Sequence, residues 1–159
     1  MKTCKSNLFT RALSLGLSAG LGVSISAGAV LANEAEVPAV PMTITLTDVI
    51  QSDVPLYISV QTEAEYRSMK GQGTILKETS AGTLIETISL PSAGDYAVTV
   101  WHDLDNEGRF SMNERYEVLD GWGSSGDTTV PGGPTFETAK ISVPNFGTEA
   151  TVKMIYPKS

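Results

Sequence analysis

From Met42 onward, apolar and polar side chains alternate with a period of two. Met42-Thr43-Ile44-Thr45-Leu46 sets the pattern, and it returns at Leu56, Ile58 and Val60 and at Leu84, Ile88 and Leu90. It returns again at Tyr96, Val98 and Val100, at Ala139, Ile141 and Val143, and at Val152, Met154 and Tyr156. A strand sends successive side chains to opposite faces, so each run predicts a strand with one face in a core. Turn-forming residues separate the runs: Ser52-Asp53, Gly71-Gln72-Gly73, Ala81-Gly82, Pro91-Ser92-Ala93-Gly94, Pro131-Gly132-Gly133-Pro134 and Pro144-Asn145. Only Thr62–Lys70 combines good helix formers with a Thr cap, which predicts one or two helical turns.

About seven short strands at roughly ten-residue spacing predict an all-β, two-sheet sandwich. An eight-stranded barrel is the alternative. Gly94-Asp95-Tyr96 has the form of a tyrosine corner, in which the phenol hydroxyl ties back to a nearby backbone group. The strand spacing breaks once, from Asp103 to Thr135. Loops of that length are uncommon. The aromatic residues Phe110, Tyr116 and Trp122 inside it predict an ordered loop packed on itself.

The first 32 residues follow a different rule. Lys2, Lys5 and Arg11 precede an apolar run from Ala12 to Leu31, and Val30-Leu31-Ala32 offers a cleavage site after Ala32. This predicts a secretory signal peptide over 1–32, with an uncleaved anchor as the alternative. Cys4 lies ahead of the apolar run, where a lipoprotein cysteine would not be, and it leaves with the signal. The proline-punctuated, acidic 33–41 reads as a flexible leader, and 42–159 as the β-sandwich domain. An exported domain of this length without cysteine must rely on its core or on a bound ion. The expected location is periplasmic or extracellular, with no membrane insertion after cleavage.

Charge sharpens the picture. All eighteen acidic residues lie beyond Ala32, against eight basic ones, a formal balance of −10. Such a surface repels nucleic acid and anionic membranes and attracts divalent cations.

The richest chemistry follows the Tyr96–Trp101 run. Asp103, Asp105 and Glu107 alternate and Gly108 follows, the spacing of a calcium loop. A hard cation needs several converging oxygens, and a glycine lets the chain turn around it. The expected Ca²⁺ ligands are Asp103, Asp105, Glu107, the Arg109 carbonyl and Ser111, with Glu114 and Asp120 competing to supply the last carboxylate. The bland alternative is a solvated acidic turn. Any ion held there would bind modestly, with Kd around 10⁻⁴–10⁻³ M as in extracellular modules.

Other candidates are weaker. His102 is the only histidine. A single imidazole beside carboxylates suits a structural hydrogen bond better than a zinc site or acid–base work. Trp122, flanked by Gly121 and Gly123, either tucks over the end of the sandwich as a loop aromatic or is carried to the surface, where with Tyr116 and His102 it would form a ligand-binding platform. Gly123-Ser124-Ser125-Gly126 is not a nucleophile elbow, and Asp103 and Asp105 sit on one loop rather than across a cleft. The chain is therefore expected not to be an enzyme.

Several of these tracts occur together in an order that resembles one family. Gly94-x-Tyr96-Ala97-Val98, His102-Asp103-x-Asp105 with Gly108, Gly121-Trp122-Gly123-Ser124 and Pro134-x-Phe136-x-x-Ala139 resemble the DUF2141 family, small exported bacterial β-proteins of unknown function. The resemblance covers roughly Met42 to Pro157 and implies an immunoglobulin- or transthyretin-like sandwich. His102, Asp103 and Gly108 match the family's pattern. Asp105 and Glu107 stand at its two Asn positions, and Asp120 stands at the Glu before Gly-aromatic-Gly. Ser111 stands where the family closes its tract with Asp, which removes one carboxylate.

The combined expectation is a non-catalytic, exported β-sandwich module with a Ca²⁺-binding acidic loop, working at the cell envelope on a protein or glycan partner. The alternatives are a carbohydrate- or peptide-binding protein that uses the aromatic loop, and a hydrolase that pairs His102 with a loop carboxylate.

Overall fold

The computed structural model describes residues 39–66, 70–115 and 117–158. The signal segment 1–32, most of the leader and Tyr116 lie outside the described residues. Strands β1 (Val40–Val49), β2 (Leu56–Gln61), β3 (Gln72–Leu76), β4 (Gly82–Leu90), β5 (Gly94–His102), β6 (Gly121–Ser124), β7 (Ile141–Val143) and β8 (Thr148–Lys153) form two sheets. The first has the order β4-β1-β8. The second runs β3-β2-β5-β6, with β7 on the Gly94–Tyr96 end of β5. β1 lies antiparallel to β4 and parallel to β8. The single-turn helices α1 (Glu63–Tyr66) and α2 (Phe136–Ala139) fill connections.

The period-two pattern becomes the core. Met42, Ile44 and Leu46 from one sheet face Leu56, Ile58, Val60, Val98 and Val100 from the other, and all are buried. β5 buries Tyr96, Val98, Val100 and His102 on its inward face, and Ala97 is buried on the other. The tyrosine corner is present: the Tyr96 hydroxyl donates to the Ser92 carbonyl at 3.0 Å.

The described residues form eight strands, of which β3 and β6 lie in glycine-rich stretches that read as turn and loop. Three expectations need correction. The Asp103–Thr135 insertion is not one long loop, since β6 crosses it and pairs with β5. Ala139 closes α2, which Thr135 caps, and the neighbouring strand begins only at Ile141. β1 starts at Val40, two residues before the expected domain start.

The C-terminal run differs in partner more than in pattern. Val152 and Met154 are buried as the alternation requires. The ladder with β1 ends at Lys153, and Ile155 then exchanges hydrogen bonds with Trp122 at 2.9 and 2.8 Å. Met154 N–H still donates to the Thr47 carbonyl at 3.0 Å. One segment thus passes from the first sheet to the edge of the second. That passage requires glycine opposite it: a Cβ on Gly123 would meet Val152 Cγ1 at 2.7 Å. A Cβ on Gly121 would meet His102 Cβ at 2.9 Å and the Tyr156 ring.

Candidate functional site

At the end of β5, adjacent residues face opposite ways. Trp101 lies on the solvent side, stacked on Tyr57 with ring centroids 4.5 Å apart. His102 faces the core and is 0 % exposed. Its Nδ1 lies 3.0 Å from the Tyr156 hydroxyl, which also accepts the Ile50 N–H at 3.3 Å. Among the described residues its buried Nε2 has no hydrogen-bond partner. Burial holds the imidazole below its usual pKa, while Asp120, the Val54 backbone and Asp103 pull the other way. Burial likewise raises the Tyr156 phenol.

Past His102 the chain wraps around its own carboxylates. Asn106 and Gly108 adopt left-handed φ angles of 55° and 74°, which bend the loop back on Asp103. Asp103 Oδ1 accepts the Glu107 N–H at 3.1 Å, and Oδ2 accepts the Gly108 N–H at 2.9 Å. Asp105 Oδ1 accepts the same Glu107 N–H at 3.1 Å, and Oδ2 accepts the Ser111 hydroxyl at 3.1 Å. Asp120, sixteen residues after Leu104, closes the ring. It accepts the Leu104 N–H at 3.0 Å, the Ser111 N–H at 2.8 Å and the Trp101 indole N–H at 2.9 Å.

Asp103, Asp105 and Asp120 therefore converge, with one carboxylate oxygen from each within 4.8 Å of the others. Asp103 and Asp120 are each 1 % exposed, whereas Asp105 lies at the surface. A carboxylate has about four acceptor positions. The seven bonds above leave capacity on all three groups. Desolvation raises the Asp105 pKa, but hydrogen bonds from Glu107 and Ser111, the contact with Asp103 and the nearby Arg109 charge outweigh it, so the carboxyl sits below its usual value.

Of the candidate ligands, Asp103, Asp105 and Asp120 are brought together. Ser111 bridges the last two through its hydroxyl and its backbone N–H. Glu107 contributes its backbone N–H, but its carboxylate leaves the cluster to pair with exposed Arg109. The Arg109 carbonyl accepts the Ser111 hydroxyl at 3.4 Å. Glu114 lies exposed in a separate turn. That turn is organised by Asn113, whose Oδ1 accepts the Arg115 N–H at 2.9 Å and the Glu117 N–H at 3.0 Å.

Trp122 does not ride on a loop; it is the second residue of β6. Cross-strand pairing places it directly beside Trp101, with Tyr57 and Ile75 next in line. Sequence reasoning missed Tyr57, Trp101 and Ile75. They become visible only when β3 and β6 are recognised, since the register sets the row.

A family model described as "Uncharacterized protein conserved in bacteria (DUF2141)" matches residues 44–151. The match runs from β1 into β8 and contains the three converging carboxylates. No curated protein and no solved structure matches the chain.

Proposed function

The chain belongs to the DUF2141 family of bacterial proteins, and we propose that it is a non-catalytic, exported β-sandwich module. Its acidic clasp takes a hard divalent cation, Ca²⁺ first, and it serves a structural or interaction role at the cell envelope. One observation carries this reading. Three carboxylates share a space 4.8 Å across, two of them buried, and the nearest guanidinium is engaged by Glu107 outside the cluster. Like charges that close repel, and a cation relieves the repulsion. Ca²⁺ is satisfied by six to eight oxygens at 2.3–2.6 Å, which three carboxylates with spare acceptor positions and several waters supply. Burial of His102 against Tyr156 favours a structural role for the imidazole and supports the non-catalytic part of the reading.

The test uses two readouts. Millimolar Ca²⁺ raises the melting temperature of the wild type, and Asp105→Asn removes that response while leaving the fold intact. Tb³⁺ in place of Ca²⁺ shows tryptophan-sensitised emission, because the Trp101 indole is bonded to Asp120. A silent lanthanide titration together with a flat melting curve sinks the cation.

A second reading is favoured by the Tyr57–Trp101–Trp122 row. It makes the solvent side of the second sheet, rather than a loop, the carbohydrate- or peptide-binding surface. Tryptophan quenching across a glycan panel, lost in Trp122→Ala, separates this reading from the first.

A further inference from the structure

We propose that the chain pairs with a second copy of itself through the free edge of β3, in an antiparallel, two-fold arrangement centred on Thr74. β3 ends the second sheet, and its outer side has no partner strand among the described residues. Natural edge strands are protected by charge, proline or bulges. The other sheet's edges follow that rule, with Glu86 on β4 and Glu149 and Lys153 on β8. β3 reads Gln-Gly-Thr-Ile-Leu and carries none. In a molecule this acidic, two copies meet most readily along an uncharged strip.

The flanks select the partner and the register. Lys70 lies two residues before the strand and Glu78 two after it, beyond Lys77, which the register sets against Gly71 of the other chain; neither Lys70 nor Glu78 forms an ion pair among the described residues. Pairing about Thr74 sets Thr74 against its own copy and Lys70 against Glu78 of the other chain, once at each end. Opposite charges across a ladder favour that alignment, and Thr–Thr pairs are favourable neighbours. The same alignment sets Ile75, 58 % exposed, against a glycine, Gly73. Gly73 has no side chain and tolerates none, because a Cβ there would overlap the Ile58 carbonyl oxygen. Each Ile75 thus gains a covered seat, and the apolar rows of the two sheets abut. A two-fold contact repeats every favourable pair, which is why a self-complementary strip suits a copy better than an unrelated strand.

Expression of the full 159-residue chain, purification and sedimentation analysis test this. The expected result is twice the single-chain mass, reverting to the single-chain mass in Ile75→Lys with the melting temperature retained. Glu78→Lys weakens association, and the exchange Lys70→Glu with Glu78→Lys restores it. A wild type that stays monomeric up to its solubility limit overturns the proposal, as does a dimer untouched by Ile75→Lys. A heterologous chain found on the β3 edge also overturns self-pairing, and failure of the charge exchange to restore association overturns the Thr74 register.

Discussion

Two turns follow one another after β5, and they are built differently. In the 113–117 turn one neutral amide, Asn113, gathers two backbone N–H groups and holds the chain. In the 103–111 turn and its closure by Asp120, three carboxylates do comparable work, two of them almost without solvent. Asn113 shows that an amide can gather backbone donors, and its own Nδ2 donates to the Glu117 carboxylate. Three carboxylates within 4.8 Å of one another are the observation on which the proposed cation rests.

The largest test removes the closure. Asp120→Ala abolishes bonds to Leu104, Ser111 and the Trp101 indole, leaves those donors unpaired, and costs about 3–5 kcal/mol in denaturant unfolding. Asp103→Asn keeps the shape but turns one acceptor oxygen into a donor facing a backbone N–H. About 2 kcal/mol is lost, together with the Ca²⁺ response. Ca²⁺ at ten times its Kd raises wild-type stability by about 1.4 kcal/mol by linkage, measured as the shift between calcium and chelator. Asn113→Ala costs about 1 kcal/mol and leaves the calcium shift unchanged. If the two turns respond to Ca²⁺ alike, the contrast between them disappears.

The smallest effect is in pH. His102 is held below its ordinary pKa, so between the folded and unfolded values the unfolded chain binds more protons. Its contribution to stability is complete above the unfolded value of about 6.5 and declines as pH falls through the window below it. Asp105, lowered in the fold, contributes above its ordinary value and loses that contribution as pH drops further. Melting temperatures from neutral to acid pH show two separate declines, and His102→Gln removes only the upper one.

How much was legible in the chain follows from what each signal measures. Period-two alternation reports burial, so β1, β2 and β5 were readable from Met42, Leu56 and Tyr96 onward. β6 was not, because Gly121 and Gly123 face the core with no side chain for periodicity to detect. β3 was hidden for a related reason, since Gly73 looks like a turn and is in fact demanded by close approach to Ile58. At the site, alternation of acids marked Asp103 and Asp105. Glu107 fits the same spacing, yet local pairing with Arg109 draws its carboxylate away. The sequence offers both Glu114 and Asp120 for the last carboxylate, and it is the return of the chain into β6 that selects Asp120.

The parallel pairing of β1 with β8 also bears on timing. The first strand of the domain lies in the middle of its sheet, and one flank is closed by β8, the strand farthest from it in sequence. The residues just after β8 fasten the second sheet at Trp122. A chain leaving the ribosome therefore stays open on that flank until β8 has emerged. The sandwich cannot close progressively from its amino side; its first strand waits, half-paired, for its most distant neighbour.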